Sequence, residues 1–240
     1  MDIYTRLAPH YDRLFPVSDA QAAFVGERLA ALGARRVLDA GCGTGRHLEL
    51  LALRGYDVVG LEPDAAMAGL AAARLGARGQ VLTAGLEDAV GALAPLAPFD
   101  AALCLGNTLA HLVTPGALAA ALAALAALLT RDGLLVTQTV NFDRVLSARR
   151  ADFPERRLAD GLAFTRDYTF THAPARLGFR LALTGPGVAL EDTIPLVPLT
   201  RDEQSAALRA AGFRRIEAHG DWDGAAWSAE APATILLARR

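Results

Sequence analysis

The sequence predicts a doubly wound α/β fold, a mostly parallel sheet flanked by helices, carrying a small antiparallel β inset. Three observations support this. Apolar runs of strand length alternate with helical patterns from Val37 to Val140, and such alternation marks a parallel sheet with helical crossovers. The first run leads through Arg36-Val37-Leu38-Asp39-Ala40 into Gly41-Cys42-Gly43-Thr44-Gly45 and on to Arg46-His47-Leu48, which reads as strand, tight turn, helix. From Gly161 the pattern changes to three extended runs separated by turn residues, which are hairpin signals.

At 240 residues and 52% apolar composition, the chain suits one domain, residues 1–240, with a sizeable core. Its net charge is −2, and every basic side chain is a scattered arginine, so no electrostatic footprint for nucleic acid is present. Cys42 and Cys104 are the two cysteines. They lack metal-type spacing, and Met1-Asp2-Ile3-Tyr4-Thr5-Arg6 is not an apolar leader, which together imply no metal and a reducing cytoplasm. Two small buried hydrophobes are the plainer account of these thiols than a redox pair. The most apolar run, Ala117 to Leu129, falls short of the ~20 residues of a bilayer span and reads as a buried helix.

In chain order, residues 1–32 form an N-terminal segment. Tyr4 and Tyr11 stand among apolar positions, and an amphipathic helix follows over residues 19–32. Those tyrosines either anchor the segment with hydroxyls in solvent or belong to a lid that excludes water. Strands at 37–40, 57–61 and 80–84 alternate with helices at 45–54 and 64–75. In such a sheet ligands lie beyond the strands' carboxyl ends, where Asp39 to Gly45, Glu62-Pro63 and Gly85-Leu86-Glu87-Asp88 fall. The glycines permit positive φ and close backbone approach, and the helix start behind them favours anionic groups. Glu62 suits ribose hydroxyls. Glu87 and Asp88 also suit a helix N-terminus. A fourth strand at 99–105 runs into Gly106-Asn107-Thr108-Leu109-Ala110-His111-Leu112. Asn107 there offers donor and acceptor in one amide. His111 is either a base for an acceptor proton or a helix-face histidine bound to backbone.

A helix at 114–129, a turn at Asp132-Gly133 and a strand at 134–140 come next. Asn141-Phe142-Asp143 then opens a helix at 144–150, with an Asx turn at Asp143. The inset, residues 161–197, comprises runs at 162–171, 177–184 and 188–197, with turns at Ala173-Pro174 and Gly185-Pro186-Gly187. Thr200-Arg201-Asp202-Glu203 is a capping box opening a helix to Ala211, stopped by Gly212. Strands at 214–218 and 234–238 close the sheet as an antiparallel edge pair, with Trp222 packed over that edge from the loop between them.

Two familiar glycine motifs fail. The dinucleotide fingerprint meets Arg46 where Gly or Ala is needed, and the phosphate loop needs a lysine that the chain lacks. Instead, D-x-G-x-G-x-G with an acid after the second strand resembles the motif of class I S-adenosylmethionine (SAM)-dependent methyltransferases. That resemblance implies a Rossmann-like seven-stranded sheet and SAM as cofactor. It assigns SAM binding to Tyr11, Asp39, Ala40, Gly41, Cys42, Gly43, Gly45, Glu62, Pro63, Leu86, Glu87, Leu105 and Gly106, with Glu87 beside the adenine. Tyr11-Asp12-Arg13-Leu14-Phe15 is similar to the flap of many small-molecule members.

Leu105 to Leu112 is similar to the L-G-N-[ST]-x-x-H-L of the glycine/sarcosine N-methyltransferase group, which implies catalytic roles for Asn107 and His111. Asn141-Phe142-Asp143 is similar to its N-[YF]-D at the acceptor pocket. Tyr4, Asn141, Arg166 and Tyr168 are the expected acceptor contacts, and an inward-facing inset arginine suits an acceptor carboxylate. The implied activity is in-line methyl transfer to a small molecule, with an amine nitrogen favoured over a hydroxyl or carboxylate oxygen; a non-catalytic SAM-binding module is the alternative. Gly106-Asn107-Thr108 stands where nucleic-acid enzymes of this class carry N-P-P-[YF]. The resemblance leaves room for a homodimer.

Overall fold

A computed structural model describes residues 3–149, 153–171 and 176–240. The expected Ala173-Pro174 turn and the helix end at Arg150 lie outside the described residues. Seven strands form one sheet: β1 (Arg36–Ala40), β2 (Asp57–Leu61), β3 (Gly79–Leu82), β4 (Phe99–Cys104), β5 (Leu129–Val140), β10 (Arg215–His219) and β11 (Ala233–Arg239). Their order is β10-β11-β5-β4-β1-β2-β3, with β11 antiparallel to both of its neighbours and the other pairs parallel. The chain reverses its direction of winding at β1, which is flanked by β2 and β4. A crevice therefore opens beyond the carboxyl ends of β1 and β4.

Strand alternation divides the core between the two faces. Leu38, Ala40, Ala102 and Cys104 pack with Leu93 of α6 (Ala89–Leu93), Leu122 of α7 (Ala117–Leu128) and Leu208 of α9 (Arg201–Ala210). Val37, Val58, Ala101 and Leu103 pack with Phe24 of α3 (Asp19–Leu32), Leu51 of α4 (Arg46–Leu53) and Leu75 of α5 (Ala65–Leu75). Cys42 belongs to the second cluster and Cys104 to the first, and both are free thiols. Burial raises both thiols above their usual pKa, so they are inert packing groups.

A second sheet of order β6-β7-β8-β9 is built from β6 (Arg156–Arg157), β7 (Ala163–Thr171), β8 (Arg176–Gly185) and β9 (Val188–Leu196). It shares a third core with the N-terminal segment, where α1 (Ile3–Leu7) and α2 (Tyr11–Leu14) bring Ile3, Leu7 and Leu14 against Phe164, Leu181 and Leu196.

The main difference from the sequence reading concerns β5, which begins at Leu129 and not at Leu134. Asp132-Gly133 is no turn but lies inside the strand at an irregularity, where pairing with β4 moves from Phe99↔Leu129 to Ala101↔Leu134. α8 (Phe142–Ala148) is capped by Asn141, whose side chain accepts from the Arg144 N–H. Asp143 serves elsewhere, accepting from the Arg201 N–H at 2.8 Å. The Thr200/Glu203 capping box is present.

Candidate functional site

The turn after β1 takes its shape from glycine. Gly41, Gly43 and Gly45 have φ of +84°, +55° and +79°, values that side chains disfavour. Contacts add to that requirement, since a Cβ on Gly41 would meet the Thr108 side chain at 2.7 Å and one on Gly45 would meet Ala71 at 2.8 Å. The Gly41 and Cys42 N–H groups donate to the Leu61 carbonyl at the end of β2. Glu62, just beyond it, accepts from the Gly43 N–H at 2.9 Å and the Asp64 N–H at 3.1 Å, so its carboxylate is fixed beside the turn. Asp64 in turn caps α5 through the Ala66 and Met67 N–H groups.

Asp39 at the end of β1 is buried. Burial, reinforced by the charge of Glu62, pushes its carboxyl up to about 7.

The N-terminal segment covers this turn. The half-buried Tyr11 ring lies over Gly43, and its loss of solvent, together with the nearby Glu62 charge, raises its hydroxyl above the usual tyrosine range. Asp12 accepts from the Thr44 hydroxyl and from Arg74, which also donates to the Thr44 carbonyl at 2.9 Å. Burial opposes the Asp12 charge, but the Arg74 and Thr44 hydrogen bonds outweigh it and hold the carboxyl below its ordinary value. Thr5 donates to Asp64. Cradle and cover are thus joined by three side-chain links.

Beyond β4 the chain turns through Gly106 and Asn107, with Asn107 at φ +72°, a conformation asparagine tolerates. The Gly106 N–H donates to Gln138 Oε1 at 2.8 Å, and Asn107 Oδ1 accepts from the Val140 N–H at 3.2 Å. The Asn107 carbonyl oxygen is therefore committed to tying the turn to β5. His111 follows in a short 3₁₀ turn, with its Nε2 3.2 Å from the Tyr4 hydroxyl and its ring edge-on to Tyr4.

The inset supplies the facing wall. Arg166 is enclosed by Phe153, Phe164 and Phe15, with its guanidinium carbon 4.8, 5.4 and 5.8 Å from their ring centres. Its Nε is buried with no hydrogen-bond partner among the described residues. Burial first, and then the charge of Arg156, lowers its pKa, yet arginine stays protonated. Tyr168 is buried against Phe153 and Phe179. Arg180, by contrast, pairs with Asp167 and Glu191.

These elements enclose two adjoining cavities. One of 330 Å³ is bordered by Asp39, Cys42, Leu105, Asn107, Arg166 and Tyr168; the other, of 360 Å³, by Glu62, Pro63 and Met67. Tyr4, Tyr11, Gly41, Gly43, Gly106 and His111 border both. Gln21, His47, Gln138, Phe153, Phe179 and Trp222 also line the first cavity, although sequence reasoning gave them no such place. Two aromatics of the inset, Tyr168 and Phe179, reach it together because β7 and β8 pair Tyr168 with Phe179; this cross-strand register is not readable from either run alone.

Five expected site residues stand elsewhere. Ala40 and Leu86 are packed in the first core cluster, and Gly45 is the buried N-cap of α4. Glu87 is exposed and folds back over Gly85, where its carboxylate oxygens come within 2.3 Å of a Cβ placed on that glycine. Asn141 is fully engaged in structure, because its Nδ2 faces the carbonyls of Ser228, Ala229 and Ala231 while Oδ1 caps α8. It joins α8 to the loop before β11.

A methyltransferase-domain family profile matches residues 37–133. The glycine/sarcosine/dimethylglycine N-methyltransferase of Actinopolyspora halophila is 26% identical over 215 residues, covering 85% of this chain and 36% of its own length. The chain therefore spans about a third of that relative. The glycine/sarcosine N-methyltransferase of Aphanothece halophytica is 28% identical over 207 residues, covering 85% of this chain and 76% of its own. SAM-bound CalS10, an amino pentose methyltransferase from Micromonospora echinaspora, superimposes with a TM-score of 0.70 at 28% identity, covering 100% of this chain and 97% of the other.

Proposed function

We propose that the chain is a class I SAM-dependent methyltransferase and that it methylates the amine nitrogen of a small molecule. One observation carries the reading: His111, joined to Tyr4, stands where the cavity bordered by Glu62 meets the cavity bordered by Arg166 and Tyr168. The N-methyltransferase activities named for the two relatives support the choice of nitrogen.

The residues present fit SAM. Gly41 and Gly43 of the turn border both cavities, a buried carboxyl stands at Asp39, and the Glu62 carboxylate is already held at hydrogen-bonding position. When bound, SAM supplies a methyl group made electrophilic by its sulfonium. Glu62 and Pro63 would hold the ribose, the turn from Asp39 would hold the amino-acid end, and Tyr4, Arg166 and Tyr168 would border the acceptor. The N-terminal segment excludes water and brings donor and nucleophile into near-attack geometry. An ammonium acceptor must lose a proton before its lone pair can attack. The Tyr4 oxygen takes that proton as Tyr4 passes its own to His111 Nε2, 3.2 Å away. Cavities of 330 and 360 Å³ suit a small acceptor better than a nucleic acid, and the two unpaired thiols suit a reducing compartment. Among the described residues no helix is long and apolar enough to cross a membrane.

The test is calorimetric titration with SAM, S-adenosylhomocysteine and, as control, NAD, on wild type and Glu62→Ala, followed by a radiolabelled methyl-transfer screen of small amines. Micromolar binding of the adenosyl ligands that weakens at least tenfold in the variant, with methylated product from an amine, is the expected result. Unchanged affinity in Glu62→Ala would sink the ribose assignment, and product only from hydroxyl or carboxyl acceptors would sink the amine reading.

A further inference from the structure

His47 has no task in the reading above, yet it borders the first cavity from the opening turn of α4. Its Nε2 is buried with no hydrogen-bond partner among the described residues, an arrangement that costs free energy unless a ligand completes it. Burial, and then the neighbouring Arg46 charge, push its pKa down to about 4, so the ring is neutral near pH 7 and offers one N–H.

The surroundings say what kind of group would complete it. α4 opens on Gly45 at φ +79°, a residue with no side chain to cap its first amides, while the nearby carboxylates are already engaged, Glu49 with Arg46 and Arg74 and Asp12 with Thr44 and Arg74. Arg46 lines the same cavity. Asp39, a buried carboxylate, lines it too. The cavity thus offers the His47 and Arg46 donors at the start of α4 and the Asp39 carboxyl at the end of β1, the complement of a zwitterion.

We propose that His47 is a positioning residue for the carboxylate at the amino-acid end of SAM: its Nε2–H donates to that carboxylate at the uncapped start of α4, while Asp39 receives the ammonium. The proposal rests on the reading that SAM occupies the cradle. Two opposed contacts fix the direction of the amino-acid end and, through it, the place of the sulfonium relative to Tyr4 and His111.

Decarboxylated SAM, which keeps the ammonium and lacks the carboxylate, separates the two contacts. Calorimetry with SAM and decarboxylated SAM is run on wild type, His47→Leu and His47→Gln, with thermal midpoints of each ligand-free protein. Losing a hydrogen bond to a charged group weakens SAM binding about ten- to a hundredfold in His47→Leu. Decarboxylated SAM should then bind wild type and His47→Leu within twofold of each other. Gln, which retains a donor, should recover part of the loss. Equal weakening of both ligands, or no weakening of either, overturns the proposal, as does an effect confined to the acceptor KM. Failure of wild type to bind SAM at all is a different result, and it overturns the cofactor reading beneath the proposal.

Discussion

Replacing Asp39 with Asn should make the ligand-free protein more stable and its cofactor binding worse. Asp39 is 2% exposed, and burial followed by the charge of Glu62 lifts its pKa from 3.8 to about 7. Between those values the folded chain retains a proton that the unfolded chain has released, so stability falls as pH rises through that window and stays reduced above it. A rise of about three pH units corresponds to about 4 kcal/mol, an upper bound because the Glu62 charge shares in it. Asparagine has the same shape and escapes this cost. Ligand-free Asp39→Asn should exceed wild type at pH 8 by up to about 4 kcal/mol, roughly 8–16 °C in melting midpoint for a chain of this size. The gap should close as pH falls toward 4. Saturating SAM should reverse the order, since only the carboxylate pairs with the ammonium. Thermal melts of both proteins from pH 4.5 to 8.5, with and without SAM, read all three effects. Equal ligand-free midpoints at pH 8, or a gap that persists on acidification, would refute the reasoning.

His111→Ala should lower kcat about a hundredfold while SAM affinity stays within twofold, measured by S-adenosylhomocysteine release and calorimetry; a matching loss of SAM affinity would make His111 a cofactor contact instead. Asn141→Ala should lower stability by about 1–2 kcal/mol, because it removes the cap of α8 and the amide bonds to the Ser228, Ala229 and Ala231 carbonyls, and leave the acceptor KM unchanged; denaturant titration and kinetics check this, and a raised KM without loss of stability would give it an acceptor role. Arg74→Met removes the partly exposed pair with Asp12, worth about 1 kcal/mol, and should speed S-adenosylhomocysteine release about fivefold in stopped flow. An unchanged rate would show that this pair does not hold the cover shut.

The parallel sheet was legible because its signals are local: apolar runs, the glycine turn and the capping box each state their own geometry within a few residues. The cofactor side shares that legibility, since Asp39, Gly41, Gly43 and Glu62 sit at strand ends whose position in the sheet follows from the alternation. Contacts set by pairing across the chain were not legible. Asp132-Gly133 carries turn residues, yet β5 runs on through them as an irregularity between the Phe99↔Leu129 and Ala101↔Leu134 pairings. Asn141 carries a polar amide suited to a substrate, yet the loop before β11 supplies three carbonyls that occupy it. Arg166 and Arg180 look alike in sequence, and only the presence of Asp167 and Glu191 around one and of aromatics around the other separates them. His47 gave one faint signal, a histidine directly after the glycine turn, but its unsatisfied Nε2 is a fact of packing.

The core shared by Ile3, Leu7 and Leu14 with Phe164, Leu181 and Leu196 bears on how such a protein is altered. Cover and inset lie more than a hundred positions apart in sequence but are one piece of apolar material. A chimaera that takes the inset of a relative while keeping this N-terminal segment would mate two halves of different cores, and the mismatch would fall beside Arg166 and Tyr168. Retargeting the acceptor therefore calls for exchanging both stretches together, leaving the glycine turn and the seven-stranded sheet as the part that stays.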